Sequence, residues 1–201
     1  MQSCAILLTI FFEPARRAMY TRRIRWWSQR TRAPDELFVV DSYGVYSNAR
    51  HLADNVLSYN QSHAFSSRVS STTAELLALR NACRRWSHKF QRHGHVFKVT
   101  GKYVVPSLLP WYHTTTVAPQ IWLQFRGESN TEILGVAPSV LDELLQRMSE
   151  IHARQRVCME VALMYTVQRS SPSYRIRRMP WHPVPVTYRV PRASGDTLPY
   201  L

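Results

Sequence analysis

The chain has 201 residues, 45% of them apolar, and a net charge of +13 from 26 Lys and Arg against 13 Asp and Glu. That size and apolar share give it one packed core and exclude a disordered tail or a low-complexity linker. Lysine occurs only at Lys89, Lys98 and Lys102, so the excess charge is arginine, whose planar fork suits phosphate, and an anionic partner follows: nucleic acid, nucleotide or anionic membrane.

In chain order, the apolar run from Cys4 to Phe12 predicts a first buried parallel strand. It is too short to span a membrane, which needs about 20 apolar residues, and no basic stretch precedes it as in a signal peptide. Pro14 then opens a helix with Met19, Ile24 and Trp27 on one face and arginines on the other. Those arginines, with few acids, also fit a mitochondrial transit peptide, but the strand reading favours a cytoplasmic protein. The run Leu37 to Val40 predicts a second strand that ends in Asp41-Ser42-Tyr43-Gly44, a strand-to-turn signal. Val56 to Tyr59 is a third short strand, and the Ser-rich stretch from Asn60 to Ser71 a loop. Thr72 and Glu75 have the spacing of a capping box at the start of a helix that carries Leu76, Leu79, Ala82, Cys83 and Trp86 on one face.

His95 to Thr100 predicts another strand, which breaks into the polar cluster Thr100-Gly101-Lys102-Tyr103. Ile121 to Phe125 is a further strand, Pro138 to Ile151 an amphipathic helix, and Val157 to Val167 a second helical segment. After Ser170 the chain is rich in Pro and Arg, suited to edge strands or extended wrapping. Residues 1–170 therefore read as an α/β core domain and 171–201 as an extension packing on it. Alternation of strands and helices gives a single domain with a mostly parallel central sheet flanked by helices. Cys4, Cys83 and Cys158 have no metal or disulfide spacing and read as small core residues in a reducing compartment.

Four polar clusters fall at predicted strand ends or helix starts: Asp41 to Gly44, Ser70 to Glu75, Thr100 to Tyr103, and Asn130-Thr131-Glu132. Open sheets hold ligands at such a rim. A set of cations, hydroxyls and carboxylates there suits a phosphate-bearing ligand whose leaving group gains negative charge. The sequence has no P-loop, dinucleotide fingerprint, zincin or nucleophile-elbow motif, and no Asp-x-Asp pair.

The stretch Lys98-Val99-Thr100-Gly101-Lys102-Tyr103 resembles the Lys-x-Thr-Gly-Arg-Tyr signature of a group of glycosyltransferase-like proteins with a GT-A, Rossmann-like α/β fold, with Lys102 in place of the usual Arg. Asp41 to Gly44, Glu75, Asn130 to Ile133 and Met159-Glu160 are similar to that group as well. The resemblance implies transfer of a sugar from a nucleotide-sugar donor to a glycan or other hydroxyl acceptor. Lys98, Thr100, Gly101, Lys102, Tyr103 and Ser42 would then contact the substrates, and a carboxylate among Asp41, Glu75 and Glu132 would be the general base. The missing Asp-x-Asp leaves a divalent metal undecided, and arginines could neutralise the leaving diphosphate instead. A second resemblance, of Phe38-Val39-Val40-Asp41 and Thr73 to Leu79 to ribonuclease H, implies a catalytically dead nuclease fold because the region of Thr100 offers no acid. It would require the Asp41 strand to be paired antiparallel. A ribonucleoprotein subunit, using Arg and stacking aromatics, fits the composition alone.

Overall fold

The computed structural model describes residues 2–11, 14–44, 52–60, 70–101, 103–126, 128–170 and 174–179. Seven strands form one sheet: β1 (Cys4–Ile10), β2 (Glu36–Asp41), β3 (Asn55–Ser58), β4 (His95–Thr100), β5 (Ile121–Arg126), β6 (Glu128–Val136) and β7 (Ile176–Arg178). Five helices accompany them: α1 (Arg17–Arg30, entered through a 3-10 turn at Pro14–Arg16), α2 (Ser71–Phe90), α3 (Leu108–Thr114), α4 (Pro138–Gln155) and α5 (Met159–Ser170).

The strand order is β3-β2-β1-β4-β6-β5-β7. β1 pairs parallel with β2 and β4, and β2 parallel with β3. β6 runs antiparallel to both β4 and β5, and β7 parallel to β5. The sheet is thus mostly parallel, as expected, with one reversed strand. Asp41 sits on a strand with parallel neighbours on both sides, not the antiparallel pairing that a ribonuclease H would need.

All seven residues of β1 are buried, because it lies at the centre of the sheet with helices over both faces. Side chains alternate between two cores. Ala5, Leu7, Phe38 and Val40 meet α2, α4 and α5 through Leu79, Leu144 and Leu163. Ile6, Leu8 and Val39 meet α1 and α3 through Ile24, Trp27 and Leu108. α4 buries Val140, Leu141, Leu144, Leu145 and Met148 at helical spacing behind Pro138 in its first turn.

Several local expectations are corrected. Phe11 lies beyond β1 and is exposed. α2 is capped by Ser70, whose Oγ accepts from the Thr73 N–H at 3.1 Å. Thr72 is therefore a buried helical residue, and Glu75 is not half of a capping box. Cys4 and Cys83 are buried, but Cys158 is exposed and not part of the core. Tyr174 to Met179, in the predicted extension, brings β7 against β5. The rest of that extension lies outside the described residues. Among the described residues no helix is long and apolar enough to cross a membrane.

Candidate functional site

β1, β2, β3 and β4 all end at one edge of the sheet. From β1 the chain moves outward to β2 and β3, then returns to place β4 on the other side of β1. This reversal makes the ends of β1 and β4 a topological switch point, where open sheets leave a crevice.

A buried polar network occupies that place, on the face covered by α2 and α5. Lys98, near the end of β4, is buried. Its Nζ lies 2.6 Å from Glu75 Oε1 of α2, donates to Thr100 Oγ1 at 2.9 Å, and donates to the Thr131 carbonyl of β6. Thr9 Oγ1 of β1 donates to the same Glu75 oxygen at 3.0 Å. Thr131 Oγ1 donates to Glu160 Oε1 of α5 at 2.6 Å. Burial opposes ionisation of Glu160, but the Thr131 hydroxyl, its own backbone N–H, the Cys158 side chain and the Lys98 charge outweigh it and lower its pKa.

The backbone builds this network. Leu123 of β5 opposes Leu134 of β6, yet Gln124 opposes Asn130, so Thr131, Glu132 and Ile133 are extra residues on β6. Such a bulge re-aims side chains, and here the carbonyl and hydroxyl of Thr131 reach different partners. Gly101 closes the end of β4 onto β1, its N–H donating to the Thr9 carbonyl at 2.8 Å. A Cβ at this position would lie 2.1 Å from Ile10 Cγ2 and 2.9 Å from the Thr9 carbonyl oxygen.

The expected site residues separate into three groups. Lys98, Thr100, Gly101 and Glu75 come together at the switch point. Asp41 and Ser42 lie at the same edge: Ile10 pairs with Asp41 and Thr9 with Thr100, which puts Asp41 and Thr100 two strand spacings apart, about 10 Å. Asp41 belongs to the opposite face, however. It is fully buried, accepting from the Tyr43 N–H at 2.9 Å and the Ser58 hydroxyl at 3.2 Å. Ser42 is held by its N–H and hydroxyl against the Ile10 carbonyl. Tyr103 is buried in the α1 and α3 core, and its carbonyl accepts from Trp27 Nε1 at 3.2 Å. Glu132 is half-buried within the β6 bulge, and Lys102 lies outside the described residues.

Thr9 was not singled out from sequence, and Thr131 only as a member of the Asn130-Thr131-Glu132 cluster. Thr9 had a signal, as the lone hydroxyl in the apolar strand Cys4 to Ile10. Glu160 entered only through the family resemblance, and its contact with Thr131 depends on the bulge. Among the described residues no group of three His, Cys, Asp or Glu could hold a metal ion, so the described donor set does not fit a divalent cation at this edge.

The sheet order, the single reversed strand and the flanking helices define a GT-A-type α/β fold. Solved glycosyltransferases share it. GlyE of Streptococcus pneumoniae matches at 9% identity and a TM-score of 0.51, over 88% of this chain and 45% of its own. A glycosyltransferase involved in glycosylation of the major capsid of PBCV-1 matches at 10% identity and 0.55, over 88% and 81%. Mouse xyloside xylosyltransferase 1 matches at 9% and 0.50, over 88% and 85%. The chain thus spans less than half the length of GlyE but most of the other two. At these identities the likeness is one of fold, and it lends no support to nucleic-acid binding. No protein-family model and no curated protein matches the sequence.

Proposed function

We propose that this chain is a glycosyltransferase that moves a sugar from a nucleotide-activated donor to a hydroxyl acceptor, with its cleft at the ends of β1 and β4. The observation that carries this reading is the network of Thr9, Glu75, Lys98 and Thr100 at the switch point of a glycosyltransferase fold.

The bonding sorts the roles. An ammonium has three donors, and Lys98 directs all of them inward, to Glu75, Thr100 and Thr131. Lys98 is thus a positioning residue rather than a ligand for the diphosphate. Glu75 uses only Oε1 among the described residues, and its side chain is 24% exposed. Its Oε2 is available to take the proton of an acceptor hydroxyl as that oxygen attacks the sugar's anomeric carbon. The leaving diphosphate needs positive charge, which the first turn of α2 supplies at the same edge. That turn contains no acid, so its free N–H groups and helix dipole favour an anion. Lys102 directly follows Gly101 in the sequence and is the remaining cation of the motif.

The test combines binding and turnover. Nucleoside diphosphate sugars are screened by thermal shift, and donor hydrolysis or transfer is followed for wild type and Glu75→Gln. A cognate donor at 100 times its Kd stabilises the fold by about 2.7 kcal/mol, and E75Q keeps that shift while losing at least 100-fold in kcat. If no nucleotide sugar changes the melting temperature, the donor reading fails. If E75Q turns over like wild type, Glu75 is not the base.

A further inference from the structure

A second cavity, of about 450 Å³, lies away from this edge. It opens between the end of α1, the segment leading into β2, and the segment leading into α3. Asp35, one of its walls, directly precedes β2 and accepts from the N–H of Cys4 at the start of β1 at 2.8 Å. It therefore marks the opposite edge of the parallel strands, about 17 Å along β1 from the network at Thr9. The volume is in the range of small-molecule sites.

The walls have a definite chemistry. Trp26 and Leu109 give apolar surface, with the fully buried Trp27 packed behind them. Asp35 and His113 are hydrogen-bonded to each other, with His113 Nε2 2.8 Å from Asp35 Oδ2. That contact and the bond from Cys4 fix both oxygens of a buried carboxylate, so this wall is built rather than incidental. Arg30 and Arg32 are exposed and line the same cavity. Neither has a carboxylate partner among the described residues. Arg30 Cζ sits 4.2 Å from the Trp26 ring centroid, and its guanidinium donates to the Trp26 carbonyl at 3.4 Å. These contacts hold the cation over the indole and leave its charge uncompensated.

We infer that this cavity is a binding site for a small anion that carries an aromatic ring, with a phosphate or carboxylate on Arg30 and Arg32 and the ring against the Trp26 and Leu109 wall. The two guanidinium groups supply the bidentate geometry such an anion needs, and the Trp26 indole and Leu109 supply an apolar surface beside it. A nucleoside phosphate and an aryl carboxylate share this chemistry. The site is separate from the proposed sugar-transfer cleft and does not depend on it.

Calorimetric titration of the full chain with adenosine monophosphate, benzoate and inorganic phosphate tests the inference. At least one of the two ring-bearing anions binds saturably, and inorganic phosphate binds at least tenfold more weakly. Which of the two binds tells a nucleoside phosphate from an aryl carboxylate. The exposed double variant R30Q/R32Q, with an unchanged circular dichroism spectrum and melting temperature, loses at least tenfold in affinity, whereas E75Q at the other edge loses none. Absence of saturable binding by both ring-bearing anions overturns the inference. So does equal binding of inorganic phosphate, or affinity that survives R30Q/R32Q and disappears in E75Q.

Discussion

Lys98 lies at the sheet edge but is buried inside a polar network rather than open to solvent. Its position beside Thr100 was legible, because an apolar strand that breaks into polar residues marks a sheet rim. Its burial was not legible, because the partners come from Glu75 and from Thr131, 23 and 33 positions away. Removing one member of a buried ion pair leaves the other uncompensated, at about 3 kcal/mol. Lys98→Met therefore lowers the unfolding free energy measured by urea titration by an amount in that range, and K98M/E75Q recovers part of the loss; a double variant destabilised by the sum of the two single variants would show that the pair is not coupled. Gly101 acts through shape instead. Gly101→Ala forces Ile10 and the ends of β1 and β4 apart, costing about 1–3 kcal/mol, measured by the same denaturation.

At the scale of elements, β1 and α4 were readable because burial imposed its own period on them. Seven apolar-facing positions in a row mark a strand covered on both sides, and the spacing of Val140 to Met148 marks a one-faced helix. β6 was not readable. Its first half, Glu128-Ser129-Asn130-Thr131-Glu132, is polar and has no alternation, since the bulge breaks the period that sequence reading depends on. α3 was hidden by Pro110, which suggests a break but occupies the first turn, where no intrahelical donor is needed. The start of α2 was placed within two residues, yet its cap was misassigned because Ser70 and Thr72 both suit that role. Ser70→Ala should cost about 1 kcal/mol and Ser70→Asp should retain most of it. Denaturant titration of the two variants checks this, and indifference to Ser70→Ala would return the cap to Thr72.

For the molecule as a whole, composition conveyed the α/β core but not the partner, because +13 suits any anion. The acid side of the stability curve also belongs to the whole fold. Burial lowers the pKa of His95, against a raising contribution from its hydrogen bond to the Pro119 carbonyl. Burial likewise lowers that of His93, against the raising effect of Glu36 and Asp35. A base with a lowered pKa takes up its proton more readily when unfolded. Its stabilisation is therefore present above the ordinary value of 6.5 and is lost as pH falls below it. Urea midpoints should decline from pH 7 towards pH 5, and His95→Gln, which keeps a donor for Pro119 and cannot titrate, should flatten that slope. An unchanged slope would remove His95 from the account.

The place of β1 between β2 and β4 also bears on how the chain is made. Cys4 pairs with His95, so the centre of the sheet cannot close until about half of the chain has left the ribosome. During that interval an apolar strand has one edge unpaired, the circumstance that favours aggregation over folding. Chains stopped between α2 and β4 should therefore be insoluble, while chains extended through β6 should not.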